Sequence, residues 1–507
     1  MRTRLDGLIF GVTMLLVFLM AARTPLESDL WWHLRAGQET LAQGQPLLVD
    51  RFSHTRYDTP WVNHSWLSQV GLALAFQGAG FFGLGLLVAG LATLSMALVY
   101  LQMDAPGWVR AFVIILAGTV AAPVWSARPQ LVSLVMFAGL GLLLRSMAGG
   151  RGKPWLLIPL LILWSNLHGG YVLALLLIGA WIAGEAFDRL LQRPFEAGLS
   201  LRQIGMLAIW AALGGAAVAI NPNGIAMWAI PFQTVGVSVL QEFISEWASP
   251  DFHQIAQQPF IWLLLATLAA IGLSGKQARG RDLAALGLFA YLALVARRNF
   301  GPFALAAAPV LAEHAAAAIQ AHQGALRAGL QPLFEAFPFF RRRSTPLPER
   351  LAGLLNGLIV FALALGGLAK LYLVTEPDWM SQTLAKQFPA QAVTWLRANP
   401  SPPNMFNSYN WGGYLIWQLP QAPVFVDGRT DLYNDALLRE YLQAVTAEPG
   451  WQQILEAYAI QTVLIEPQSG LARALITEPG WLLAYQDELA VVFVRSPGVA
   501  ARIPGPP

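Results

Sequence analysis

"ESDLWWHLRAGQETL" (27–41) follows the first apolar run of the chain, "LIFGVTMLLVFLMAA" (8–22). Two carboxylates, two tryptophans and a histidine fall within residues 27–33. Leu30, Leu34 and Leu41 share roughly one helical face, and Asp29 and His33, four residues apart, share another. The spacing predicts an amphipathic helix over 28–41, capped by Ser28 or Glu27. Such a helix lies along a membrane surface with its leucines in lipid and its Asp29–His33 face toward protein or water. A polar stretch then leads to a second, partly amphipathic helix from about residue 64.

The rest of the chain explains why a membrane surface is the right setting. Of 507 residues, 56% are hydrophobic and 12% charged, where a soluble domain carries about 25% charged residues. Apolar runs recur at 7–23, 81–102, 108–123, 130–147, 155–166, 170–187, 203–220, 259–274, 281–296, 302–319 and 351–373. They predict a polytopic α-helical membrane protein with about 11 spans, the first a retained signal anchor. Loop charge sets its orientation. With the N-terminus cytoplasmic, the basic stretches 1–4, 145–154, 188–203, 274–281 and 322–350 all fall on the cytoplasmic side. The C-terminus is then exterior. The absence of cysteine rules out disulfides and thiolate metal sites. No basic tail or aromatic-basic repeat points to nucleic acid, and no phosphate-binding glycine loop, serine elbow or zinc motif occurs.

The opposite loops hold the groups able to do chemistry. The exterior segment 24–80 carries Glu27, Asp29, His33 and His64. "SARPQ" (126–130) brings Arg128, a bidentate donor to phosphate or a snorkelling anchor. "SNLHGG" (165–170) brings Asn166 and His168, a phosphate or metal contact or a hydrogen-bonded turn. Glu242 and Glu246 in "EFISEW" are a second acid pair or a solvated face. "ARRNFGP" (296–302) brings Arg297, Arg298 and Asn299, against the trend that puts positive charge inside. That placement suggests an anionic partner or an interfacial anchor. Three histidines with Asp29 also suit a divalent metal, although their spacing is not diagnostic. Residues 376–507 change composition and read as a small soluble α/β domain. "NMFNS", "PVFVDG" and "TVLIEP" are strands, "WLLAYQDELAVVFVR" a hairpin, and helices lie between them. Tyr409, Trp411 and Tyr414 suit sugar stacking, and "VDGRTD" either a ligand turn or a docking turn.

A span, an acidic exterior loop with two surface helices, and then many more spans: this order resembles the GT-C superfamily of membrane glycosyltransferases. That superfamily includes protein O-mannosyltransferases and aminoarabinose transferases. The pattern "D-x-W-W-H-L … H-x-W-L" is that of bacterial members. The resemblance covers about residues 1–375. It implies a catalytic base at Asp29, with Glu27 second, and a polyprenyl-phosphate-linked sugar as donor. The acceptor would be an exterior glycan, lipid or protein, and the location the bacterial inner membrane. His33, His64, Arg128, Asn166, His168, Arg297, Arg298 and Asn299 would bind substrate, with Mg or Mn as a candidate metal. Ser65 stands where related sequences often carry Glu, which removes one acid of a two-acid metal site. A non-catalytic scaffold or a lipid-binding or transport protein on the same fold is the alternative. Nearly apolar mid-span positions count against transport.

Overall fold

A computed structural model describes residues 2–193, 198–236, 239, 244–336, 348–400 and 402–496. Glu242 lies outside them. Each apolar run forms a helix: α1 (Arg2–Ala21), α3 (Trp66–Tyr100), α4 (Gly107–Ala121), α5 (Gln130–Ala148), α6 (Leu157–Leu167), α7 (Val172–Leu190), α8 (Leu201–Ala217), α9 (Gln258–Leu273), α10 (Gly280–Val295), α11 (Phe300–Ala321) and α12 (Glu349–Val374). The opening stretch forms α2 (Leu30–Gln43). Among the described residues, seven helices are long and apolar enough to cross a membrane by length and composition. These are α3, α4, α5, α7, α9, α11 and α12, some with short extensions. The protein is a multi-pass membrane protein. α12 leaves Leu354, Leu358, Phe361 and Leu365 exposed, a surface that is stable only against lipid.

α3 joins a surface helix to a span. It bends at Ala79 and Gly80, where Gly80 takes φ 57°. The placement of α2 differs from expectation. Two of its three leucines do not face lipid: Leu30 and Leu34 are fully buried in the core of the membrane bundle, and Leu41 is exposed. On the other side Trp31 packs edge-on against Phe388 (5.7 Å) and Tyr414 (5.2 Å) of the C-terminal region. α2 is therefore sandwiched, because its two tryptophans present a second apolar face that the leucine spacing did not reveal. Neither Ser28 nor Glu27 caps it. Asp29 stands at the N-cap, and its side chain makes no capping bond.

At the basic end of the bundle, charged side chains are paired. Arg281 Nη1 meets Glu185 at 2.6 Å in the interior, Arg145 meets Asp282 at 3.0 Å, and the Gly280 amide donates to Asp188 at 2.7 Å. The C-terminal region is α/β. Its sheet runs β1-β2-β4-β3, from β1 (Met405–Asn407), β2 (Thr462–Ile465), β3 (Trp481–Gln486) and β4 (Val491–Arg495). β1 and β2 are parallel and the other pairs antiparallel. Helices α13 (Gly412–Gln418), α14 (Thr430–Thr446) and α15 (Gly470–Thr477) belong to this region. "PVFVDG" is not a strand of this sheet. It makes one parallel bridge, Val424 to Ser53, so its pairing is with the segment after α2.

That contact is locked by a buried ion cluster. Arg429 Nη1 donates to Asp50 at 2.6 Å and Arg429 Nη2 to Asp427 at 2.7 Å, and all three side chains are solvent-free. Tyr433 donates its hydroxyl to Asp427 at 2.6 Å. The Phe52 amide donates to Asp50 at 3.0 Å. The guanidinium lies 4.9 Å from the Trp61 ring centre, an aromatic face that favours a cation.

Candidate functional site

A cavity of about 520 Å³ opens where the loops of the membrane bundle meet the C-terminal region. Asp29 projects into it from the start of α2, and His33 follows one turn later. The loop before α3 supplies His64, that before α5 Arg128, and that before α7 His168. Glu246 comes from the 3₁₀ turn Ser245–Trp247, Arg298 from the turn ahead of α11. Tyr409, Gly428 and Asp431 form the wall contributed by the C-terminal region.

Electrostatics organise one end of this cavity. Arg128 pairs with Glu27 through two contacts, with Asp29 at 3.2 Å and with Glu246 at 2.9 Å. Arg298 reaches Glu246 at 3.9 Å and lies 4.1 Å from the Trp247 ring centre. Glu27, Asp29 and Glu246 thus gather on Arg128, and Glu246 also meets Arg298. Burial pushes the Asp29 pKa up to about 7, Glu27 and Glu246 add to the rise, and Arg128 opposes it. Burial acts upward on Glu246 too, but Arg298 and Arg128 prevail and hold it below its usual value. Asp29 is the carboxyl poised to exchange a proton near neutrality.

The C-terminal region touches this carboxyl directly. A Cβ built on Gly428 would overlap the Asp29 carboxylate, so only glycine lets the backbone pass there. Gly428→Ala is expected to cost about 1–3 kcal/mol by overpacking, seen as a lower midpoint of thermal unfolding.

Nine of the residues singled out from sequence line the cavity: Glu27, Asp29, His33, His64, Arg128, His168, Glu246, Arg298 and Tyr409. Asn166, Arg297 and Asn299 are not among its lining residues. Asn166 accepts from the Trp66 indole at 2.9 Å and donates to the Ile162 and Ile220 carbonyls, tying three segments together. Asn299 donates to the Leu292 carbonyl at 2.9 Å, closing the turn after α10. Arg297 anchors that turn through its amide, which donates to Ala248. Glu246, read from sequence as a solvated face before a second acid, bridges two arginines instead. Gly428 and Asp431 were not assigned a role at the acid, and no local signal in "VDGRTD" marks the partner it packs against.

Among the described residues, no three His, Asp or Glu side chains converge as a cation's ligands would. The space between the acids is held by the Arg128 guanidinium. The Mg or Mn ion considered from sequence would have to compete with that guanidinium for Glu27, Asp29 and Glu246.

No protein-family model matches the chain, and no curated protein matches its sequence. Solved structures do match it in shape. The archaeal oligosaccharyltransferase AglB from Archaeoglobus fulgidus, in complex with an inhibitory peptide and a dolichol-phosphate, is 13% identical with a TM-score of 0.52. The match covers 90% of this chain and 69% of that one. The Archaeoglobus fulgidus oligosaccharyltransferase with Zn and sulfate is 12% identical, TM-score 0.50, over 90% and 68% of the two chains. ArnT from Cupriavidus metallidurans bound to undecaprenyl phosphate is 12% identical, TM-score 0.47, over 96% and 97%. At these identities a likeness speaks for architecture alone, and the fold of this chain is that shared with the Archaeoglobus fulgidus oligosaccharyltransferase.

Proposed function

We propose that this protein is a membrane glycosyltransferase that moves a sugar from a polyprenyl-phosphate carrier to an exterior acceptor, with Asp29 as general base. The observation that carries the proposal is a buried carboxyl with a pKa raised to about 7, facing a cavity that also holds cationic and imidazole groups. Transfer to a hydroxyl requires a base for the acceptor proton and donors for the departing phosphate, and this cavity offers both. The AglB structure bound to dolichol-phosphate supports a lipid phosphate as the donor's leaving group. The basic loops at the other end support a cytoplasmic N-terminus and eleven spans. Under this reading the protein resides in a bacterial inner membrane. Residues 1–375 form the membrane domain, and 376–507 form an exterior domain that shapes the acceptor side. No step is assigned to a metal.

Purified full-length protein, supplied with polyprenyl-phosphate sugars and candidate acceptors, is expected to release the free lipid phosphate. Failure with every donor tried would sink the reading. The pH profile checks the role of Asp29. A base must be unprotonated to act, so turnover is expected to rise with pH and level off above about 7. A fall through the same range would make Asp29 an acid instead.

A further inference from the structure

Two of the three cavity histidines have their ring tautomers set by their neighbours. A backbone N–H can only donate, and one is aimed at each of two imidazoles. The Gly169 amide donates to His64 Nδ1 at 3.2 Å, and the Gly170 amide to His168 Nδ1 at 3.1 Å. At His168 a chain of donors confirms the direction. The Trp164 indole donates to Ser133 Oγ at 2.7 Å, leaving that hydroxyl to donate to His168 Nδ1, also at 2.7 Å. His33 Nδ1 faces the Gln69 amide nitrogen at 3.5 Å, and that nitrogen already donates to Asn63 at 2.8 Å. The glycine pair of "LHGG" makes these approaches feasible. A Cβ at residue 170 would lie 2.7 Å from His168 Nδ1 and 2.6 Å from Ser133 Oγ.

His64 Nδ1 and His168 Nδ1 are thus acceptors, which puts their ring protons on Nε2. Burial also keeps all three rings neutral, by holding their pKa values below the usual histidine value. A neutral ring in this tautomer offers an N–H and no free lone pair. It can bind an anion's oxygen but cannot ligate a cation. His64 Nε2 is 4.0 Å from Asp431 on the cavity wall, and the His64 and His168 ring centres are 5.8 Å apart. Arg128 cannot serve as the main phosphate clamp, because Glu27, Asp29 and Glu246 already surround it.

We infer that His64 and His168 form a pair of neutral Nε2–H donors for the phosphoryl oxygens of an isoprenyl phosphate, in a site that holds its anion without a divalent cation. This rests on the proposed lipid-phosphate donor and specifies which side chains receive it. Neutral donors hold a phosphate firmly enough to orient it and weakly enough to release it after transfer, where a cluster of full positive charges would retain it.

The test uses full-length protein in detergent with EDTA, and two probes, farnesyl phosphate and inorganic phosphate. Wild type is expected to bind farnesyl phosphate without metal. His64→Phe and His168→Phe, which keep the ring and lose the donor, are expected to weaken it roughly tenfold or more. His168→Gln, which restores a terminal N–H donor, is expected to recover most of the loss. Thermal unfolding of each variant checks the fold. If wild type binds and the Phe variants bind equally well, the donor pair is wrong while the lipid-phosphate reading stands. Binding only after Mg or Mn is added overturns the pair in favour of a metal site. Equal binding of inorganic phosphate keeps the pair and overturns the lipid as its ligand, and no binding of either probe overturns both. Nitrogen-15 NMR of labelled histidine needs no substrate, and an Nδ1–H tautomer at His64 and His168 would refute the inference alone.

Discussion

Asp29→Asn is expected to lower turnover by roughly 10²- to 10⁴-fold, the usual contribution of a positioned general base, while leaving the protein folded. The substitution is close to isosteric, and the side chain makes no helix-capping bond that the amide would forfeit. Arg128 keeps Glu27 and Glu246 as partners after the change. Removing the carboxylate also relieves the crowding of three acids on Arg128, so stability is expected to hold or rise slightly. The loss should fall on kcat more than on KM, because the base acts as the acceptor hydroxyl gives up its proton. Asp29→Asn protein with full turnover and a normal melting profile would remove this residue from the mechanism.

Arg429→Met is the second large effect, and it acts on stability. Arg429 neutralises Asp50 and Asp427 where no water reaches any of the three. Its removal strands two buried carboxylates, and losing one member of such a cluster costs about 3–5 kcal/mol. Thermal or denaturant unfolding should record that loss. Proteolysis should then reach the segment around residues 50–62, which the cluster ties to the C-terminal region. Replacing all three charges together, with Asp50→Asn and Asp427→Asn added to Arg429→Met, should recover part of the loss, because no ion is then left unpaired. An unchanged melting profile in the single variant would show that the cluster contributes little.

Much of the membrane architecture was legible from sequence because lipid imposes a simple rule: every apolar run long enough became a helix. The identity of the polar residues near Asp29 was legible for the same reason, since they could lie only in loops. Their arrangement was not. That Arg128 sits among Glu27, Asp29 and Glu246 depends on three separate loops converging, and no local spacing encodes such convergence. The burial of α2 was missed because its leucine stripe reads as lipid-facing, whereas Trp31 and Trp32 carry the second contact. "PVFVDG" has the composition of a strand, yet its backbone bridge is to Ser53, far away in the chain, and β1 reaches it only through the Asn407 side chain. Gly428 has no side chain to advertise that its neighbour is Asp29.

The distance along the chain between Asp50 and Arg429 has a bearing on how the protein is made. The two residues are 379 positions apart, so at roughly 5–20 residues per second the later one is synthesised about 20–75 seconds after the earlier. Throughout that interval the nascent polypeptide holds its acid without the glycine turn that packs against it, and an aspartate without its cation. The cluster therefore closes late, when the segment around Arg429 folds back onto the segment around Asp50. A translation product truncated before Arg429 would leave Asp50 without its cation.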